Sequence, residues 1–216
     1  MTRGRPTPPA PLTMVMALPT VEEAEKTRKF IKDAGGNGTW DRLAEYLDQE
    51  LHGKERFVIN RSFDAPVARV WEAWTDPRQF MQWLPPTGMT MKFERADLRP
   101  GGSTFYVMTN GKDVAMYGRI HYLSFERPHR LTYTQEFCDA NEKISRHPFA
   151  PTWPAQMLTV VTLTEEGPDQ TRVTVQWEPH GDFTSEELKT FIAARPGMTQ
   201  GWTGSFDKLE AHLDLS

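Results

Sequence analysis

Short connections between strand-like segments constrain the fold of this chain most. From residue 56 onward, alternating apolar and polar residues mark candidate strands at 56–63, 90–98, 102–109, 114–126, 130–138, 156–165 and 171–178. The connections RPGG, TNGKD, ERPHR and EEGPDQ contain only a few residues each. A parallel crossover needs about a dozen residues or more, so these strands must pair antiparallel. The sequence therefore predicts one antiparallel sheet.

Two short helices are predicted between the first and second strands. In residues 64–76, Asp64 is expected to cap a helix whose apolar stripe is formed by Val67, Val70, Trp71 and Trp74. Residues 76–86 restart as a second helix, with Asp76 as its cap and a Pro-Pro pair as its end.

A long helix is predicted to close the chain. Thr184 and Glu187 form a capping box, and the helix resumes after an interruption at Pro196-Gly197. Its apolar arc consists of Met198, Trp202, Phe206, Leu209 and Leu213. Gly201 and Gly204 flank that arc, although each glycine costs about 1 kcal/mol relative to alanine inside a helix. We expect them to admit the sheet, a loop or a ligand close to the helix backbone, the alternative being relief of crowding between helix and strands.

Four separated motifs indicate a family. The strings FDAPVARVWEAWTDPRQFMQWLPPTG, DLRPGGSTFYVMTNGKDVAMYGRIHYLSFERPHRLTYTQEF, TVVTLTEEGPDQTRVTVQW and GWTGSFDKLEAHL occur in this order over about residues 56–214. Together they resemble the SRPBCC (START-like, helix-grip) superfamily, and most of all its branch named after activators of the heat-shock-protein ATPase. The resemblance implies an α+β helix-grip fold, in which a curved antiparallel sheet wraps around the long C-terminal helix and leaves a cavity between them.

The chain before residue 56 divides into two parts. Residues 1–19 are rich in proline and are predicted to be a disordered leader, because their apolar run is short for a signal peptide and Pro19 follows it. Residues 20–52 form a predicted helical extension, and 56–216 form the SRPBCC/START-like domain. Within the extension, GTWDRLAEYLD (38–48) resembles GSFDKLEAHLD (204–214), either as the remnant of a duplicated domain or as a chance likeness of two amphipathic helices.

A helix without its own sheet needs another partner for its apolar side. We therefore expect Trp40, Leu43 and Leu47 to pack on this domain or on a partner chain, which leaves a homodimer open.

Charge and composition exclude several function classes. The chain has 25 basic and 29 acidic residues, a net charge of −4, and lacks a long basic run, so neither nucleic acid nor an anionic membrane is an expected partner. No apolar stretch approaches the roughly 18 to 20 residues of a membrane span. The single cysteine, Cys138, rules out an internal disulfide framework. We expect a cytoplasmic protein of bacterial type.

Catalytic and metal-binding motifs are missing from the sequence. It contains no glycine-rich phosphate loop after a strand, no His-Glu-x-x-His and no Gly-x-Ser-x-Gly, and its histidines are scattered. We therefore predict no catalytic residues, no metal and no cofactor.

Aromatic residues, 11% of the chain, supply the candidate site. In strand 130–138 the alternation places Leu131, Tyr133, Gln135 and Phe137 on one face, where Gln135 needs a hydrogen-bond partner from the protein or from a ligand. In the third strand both Phe105/Val107 and Tyr106/Met108 are candidates for the inner face. The predicted ligand-binding residues are Trp83, Phe105, Tyr117, Tyr133, Gln135, Phe137, Trp177, Trp202 and Phe206. Trp153 is predicted to act as a lid residue.

These residues suggest three functions. The first is binding of a hydrophobic small molecule in the cavity, without covalent chemistry. The second, suggested by the branch name, is a protein-interaction module. The third is a cyclase-like or hydrolase-like enzyme that polarises a carbonyl with Tyr, Gln and His side chains. An open apolar cavity favours binding, whereas a filled one with an exposed apolar patch favours interaction.

Overall fold

The computed structural model describes residues 15–33 and 36–214. Most of the predicted leader, residues 1–14, lies outside the described residues. The predicted extension contains two helices, α1 (Val21–Asp33) and α2 (Gly36–His52). The chain divides into two compact units at residue 37, with α1 in the first unit and most of α2 in the second.

The remainder of the described chain contains a seven-stranded antiparallel sheet and four helices. Its strands are β1 (Phe57–Phe63), β2 (Thr90–Ala96), β3 (Ser103–Thr109), β4 (Ala115–Glu126), β5 (Arg130–Cys138), β6 (Gln156–Gly167) and β7 (Gln170–Pro179). Their spatial order is β1-β7-β6-β5-β4-β3-β2, so the first two strands in sequence form opposite edges of the sheet. The predicted antiparallel sheet and the α+β helix-grip fold are confirmed.

Four helices accompany the sheet: α3 (Val67–Thr75), α4 (Pro77–Trp83), α5 (Ser185–Ala193) and α6 (Arg195–Asp214). Because β1 and β2 are the two edges, α3 and α4 carry the chain from one edge to the other, and both contact α6 on the way. The face of the sheet that packs against these helices is called the inner face below.

Helix-capping predictions are confirmed at two helices and wrong at one. Asp76 accepts a hydrogen bond from the backbone N–H of Arg78, and Thr184 and Glu187 form the capping box of α5. Asp64 does not cap α3, because α3 begins after Pro66 and the Asp64 carboxylate accepts a hydrogen bond from the Gln170 side chain.

The predicted interruption at Pro196-Gly197 lies too late in the chain. The break falls at Ala194, and α6 already begins at Arg195. Pro196 then lies in the first turn of α6, where its missing N–H costs little.

The apolar arc of α6 covers the inner face as predicted. Met198, Phe206 and Leu209 are buried, while Trp202 and Leu213 are partly buried against the same core. Polar contacts fix the helix in place. The Lys208 ammonium donates to the carbonyl oxygen of Pro85 at 2.7 Å, and the Ser205 hydroxyl donates to that of Leu84 at 2.6 Å.

The two glycines of α6 have different surroundings. A Cβ atom at Gly204 would lie 2.6 Å from Oγ1 of Thr87, in the loop between α4 and β2. A Cβ atom at Gly201 would meet no atom within 4 Å. Close approach to the helix backbone therefore explains Gly204 and does not explain Gly201.

This difference predicts opposite effects of the same substitution. Gly201→Ala should raise the free energy of unfolding by about 0.5–1 kcal/mol, because alanine has the higher helix propensity and the site is open. Gly204→Ala should lower it by about 1 kcal/mol, since overpacking exceeds the propensity gain. Urea unfolding of both variants measures the effects, and equal stabilisation by the two substitutions would contradict the assignment.

Candidate functional site

Four tryptophans form a continuous row between the sheet and α6. The ring centroids of Trp74 and Trp202 lie 6.3 Å apart, those of Trp202 and Trp177 6.4 Å, and those of Trp177 and Trp153 5.7 Å. Their positions belong to α3, α6, β7 and the β5–β6 connection, so four segments distant in sequence meet here. We call these four residues the tryptophan row.

Three members of the row bury a donor that has no acceptor. The Nε1–H groups of Trp74, Trp153 and Trp177 are inaccessible and have no hydrogen-bond partner among the described residues. An unpaired buried donor costs about 1–3 kcal/mol. The neighbouring Trp83 differs, because its Nε1–H donates to the carbonyl oxygen of Ala73 at 2.9 Å. The Nε1–H group of Trp83 is therefore used in a hydrogen bond within the protein, whereas those of Trp74, Trp153 and Trp177 are not.

A small cavity lies beside Trp153. Its volume is about 10 Å³, and its lining includes Tyr106, Gln135, Phe137 and Met157. This is close to the least space that one water molecule needs. The interior between sheet and α6 is therefore closed at this point, and aromatic side chains fill most of it.

The lining of the cavity also includes Glu136, whose carboxylate forms an ion pair with Arg119, whereas the inner-face rows beside the cavity contain only uncharged side chains. The strand register places Thr104, Ile120, Gln135, Met157 and Pro179 in one row across the sheet. The next row contains Phe57, Trp177, Thr159, Tyr133 and Tyr122. Burial raises the pKa of the Tyr106, Tyr122 and Tyr133 hydroxyls above the ordinary tyrosine value. These groups are neutral, so the two rows carry no charge.

Residues 140–155, which make up most of the β5–β6 connection, cover this end of the site and are called the flap. Trp153 is 7% exposed and packs against Trp177 and Phe191. Its role as a lid residue stays a prediction. Two polar contacts attach the flap to α5. Arg146 forms an ion pair with Glu187, and the hydroxyls of Thr152 and Thr190 lie 2.8 Å apart.

Glu187 has two structural tasks. Hydrogen bonds from the Thr184 backbone and from Arg146 lower the pKa of the Glu187 carboxyl below its ordinary value. The same carboxylate thus caps α5 and holds the flap.

Comparison with known proteins places the chain in a family. A model of the family described as Activator of Hsp90 ATPase homolog 1-like protein matches residues 64–214. The chain belongs to this family. Comparison with the curated proteins gives no match.

Solved structures of bacterial proteins share the fold. Protein Ms6760 from Mycobacterium smegmatis is 25% identical, with a TM-score of 0.61 over 74% of this chain and 91% of that chain. A protein from Arthrobacter aurescens is 27% identical, with a TM-score of 0.63 over 76% and 88%. The AHSA1 protein from Silicibacter pomeroyi, at 20% identity and a TM-score of 0.57 over 74% and 98%, supports the fold alone.

Within this family fold, seven of the nine predicted pocket residues lie between the sheet and the helices. Tyr133 and Phe206 are fully buried, and Trp177, Trp202, Gln135 and Phe137 are half-buried. Trp83 is buried as well, but its donor is already used by Ala73. The side-chain amide of Gln135 borders the cavity, and no hydrogen bond to it occurs in the described part of the chain.

The inward orientation predicted for Phe105 and Tyr117 is wrong. The two rings stack on each other, with centroids 5.9 Å apart, on the outer face of the sheet beside the Arg119–Glu136 ion pair. The alternation left β3 ambiguous, and the structure places Tyr106 and Met108 inward. The missed signal is Gly118, which pairs with Tyr106 and leaves room for the tyrosine ring.

A larger depression lies on the outside of the domain, between α3 and the turn before β5. It measures about 420 Å³ and is lined by Trp71, Glu72, Asp76, Arg127 and Pro128, among others. Its carboxylates have partners, since Asp76 caps α4 and Glu72 lies 3.5 Å from Arg69. None of the predicted binding residues borders it.

Within residues 15–33 and 36–214, no cluster of metal-ligating side chains is present. No helix in the same ranges is both long and apolar enough to cross a membrane.

The flap should respond to acid through His147. Burial lowers the pKa of the His147 imidazole below its ordinary value of 6.5, and Nδ1 accepts a hydrogen bond from the backbone N–H of Phe149 at 3.0 Å. The neutral ring is therefore favoured in the folded state. Its contribution to stability is present above the unfolded pKa and is lost as the pH falls through the lowered folded pKa.

Between about pH 7.5 and pH 5.5, the wild-type protein should lose more unfolding free energy than His147→Phe, whose ring cannot be protonated. His212, whose pKa burial also lowers, titrates in both proteins and cancels in the comparison. His180→Phe, at an exposed position outside the flap, is the control. Equal losses in the wild type and in His147→Phe would contradict the prediction.

Proposed function

We propose that the protein binds a hydrophobic small molecule between the sheet and α6, without covalent chemistry of its own. The family is one known for ligand binding or for activation of the Hsp90 ATPase. The observation that carries the proposal is the set of unpaired indole donors buried along the tryptophan row. Buried polar atoms in a core are usually paired, as that of Trp83 is, and three unpaired indole donors meet in this row. A fourth unpaired indole, that of Trp71, lies outside the row beside the outer depression.

The closed interior requires a movement before a ligand enters. The second half of the flap, residues 146–155, is the segment suited to it, because it is attached to α5 by one ion pair, one hydroxyl contact and the packing of Trp153. Ion pairs of Glu142 with Arg95 and Arg119 hold the first half in place. When the second half swings out, the indole of Trp153 leaves a space bordered by Trp177, Phe191 and the small cavity. A ligand with a bicyclic apolar ring system would match the size of this space, because the indole of Trp153 is itself bicyclic.

Native mass spectrometry tests this proposal directly. The protein, equilibrated with bacterial extract and purified without organic solvent, should carry a small-molecule mass that disappears on denaturation. Trp202→Ala should reduce the bound fraction at least about tenfold, because it removes the centre of the row. Tyr117→Ala, an aromatic truncation on the outer face, should retain it.

Circular dichroism confirms that both variants are folded before their masses are compared. A bare mass in every sample, or equal loss of ligand in the two variants, would contradict ligand binding at the tryptophan row.

A second candidate function is protein interaction through α2. Glu45, Asp48 and Gln49 are half-buried, whereas Leu43, Leu47 and Leu51 are exposed, the last by 74%. Leu43 and Leu47 are therefore not buried against this domain, which leaves a partner chain as the other expected alternative. The side chain of Trp40 lies outside the described residues. Packing of this apolar stripe on a partner chain remains a proposal, with a second copy of the chain as the simplest partner.

If α2 mediates self-association, the dimer should depend on the apolar stripe formed by Leu43, Leu47 and Leu51. Replacing Leu43, Leu47 and Leu51 together by serine should raise the dimer dissociation constant at least about tenfold, since three apolar side chains leave the interface. Sedimentation equilibrium measures the constant. Leu123→Ser, at an exposed leucine of β4, should leave it unchanged. A wild-type protein that stays monomeric at high concentration would contradict self-association.

A further inference from the structure

The donors of the tryptophan row limit which apolar molecules fit the site. An indole N–H donates a hydrogen bond and cannot accept one. Once the flap has moved Trp153 into water, Trp74 and Trp177 remain inside with their Nε1–H groups unpaired. Trp177 borders the space that Trp153 vacates, because the two rings are neighbours in the closed state.

We propose that the site selects neutral apolar molecules that carry a carbonyl or ether oxygen. They are favoured over hydrocarbons of the same shape and over carboxylic acids. The inference rests on the proposed function and names the ligand class of that same site. Trp177 donates the hydrogen bond to that oxygen, whereas Trp74 lies on the far side of Trp202, away from the space that Trp153 vacates.

Discrimination against hydrocarbons follows from the unpaired donors. A hydrocarbon that fills the space keeps water out and leaves the Trp177 N–H buried without a partner. An oxygen acceptor on the same ring system pairs with it. The net value of one such bond corresponds to about a fivefold difference in affinity.

Discrimination against acids follows from the absence of charge in the two inner rows described above. A carboxylate placed among them loses its hydration without gaining a cation. Two basic groups lie near these rows. The Arg195 guanidinium is 5.5 Å from the centroid of the Phe57 ring and donates to the backbone carbonyl oxygen of Arg56 at 2.6 Å. The other is Arg61 of β1, whose guanidinium is 2.6 Å from Asp207 and also faces Glu210. Those two carboxylates already neutralise it.

Three naphthalene probes separate these effects because they share one bicyclic ring. The probes are 2-acetonaphthone with a ketone oxygen, 2-ethylnaphthalene with none, and 2-naphthoate with a carboxylate. Their dissociation constants are measured on the full chain by isothermal titration calorimetry at neutral pH. We expect 2-acetonaphthone to bind at least about fivefold more tightly than 2-ethylnaphthalene, and 2-naphthoate to bind most weakly.

Two matched substitutions identify the donor. Trp177→Phe keeps an aromatic ring and removes the unpaired N–H, so the preference for 2-acetonaphthone over 2-ethylnaphthalene should fall to about one. Trp83→Phe removes an N–H that already bonds to Ala73, so the preference should persist even if stability falls. The ratio of two affinities on one protein is insensitive to a uniform loss of folded protein.

The outcomes separate the inference from the function on which it rests. Equal affinities for 2-acetonaphthone and 2-ethylnaphthalene in the wild type would overturn the oxygen preference and leave apolar binding intact. A preference that survives Trp177→Phe would overturn the assignment of the donor. Binding of none of the three probes would contradict the proposed function as well.

Discussion

An antiparallel sheet that stays open must cover its apolar inner face with helices, and this requirement organises the whole domain. The two sheet edges are β1 and β2, which are consecutive in sequence, so their connection has to cross the opening. The chain builds α3 and α4 there, and α6 completes the cover. Lys208 and Ser205 then attach α6 to backbone carbonyl groups at the end of α4. The position of the tryptophan row follows from this arrangement.

Local sequence rules were sufficient for the elements of this fold. Strand alternation, short connections and the Thr184–Glu187 capping box depend on neighbours along the chain, and the structure agrees with them. Failures occurred where tertiary contacts decide. Asp64 had an alternative partner in Gln170, more than a hundred residues away. Phe105 faced outward because Gly118 on the next strand made room for Tyr106 instead.

The candidate site was predictable in composition and only in part in position. Sequence periodicity identifies an inner aromatic set, but it cannot distinguish one tryptophan from another. Trp74 and Trp83 are both buried in short helices, and their rings touch, with centroids 4.6 Å apart. One finds a carbonyl acceptor and the other does not. That difference depends on where Ala73 O points in three dimensions, and it is the difference on which the function proposal rests.

The closed interior and the proposed binding are compatible because the second half of the flap, residues 146–155, is held by few contacts. Its polar attachments to α5 involve Arg146 and Thr152, and its main apolar attachment is the ring of Trp153. The first half is held more firmly, since Glu142 forms ion pairs with Arg95 and Arg119. Moving the Trp153 ring exposes apolar surface, which a bound ring covers again. Ligand affinity is therefore reduced by the free energy of flap opening, and substitutions that weaken the attachment to α5 act on affinity without touching the ligand.

The most direct measurement is a proton–nitrogen correlation spectrum of the tryptophan indoles, recorded with and without 2-acetonaphthone. The Nε1–H resonance of Trp177 should move downfield as it gains an acceptor, and that of Trp153 should change as its ring enters water. The resonance of Trp83 should stay in place, since its bond to Ala73 is already formed. Saturating ligand that leaves the Trp177 resonance unmoved, or shifts the Trp83 resonance equally, would contradict the account.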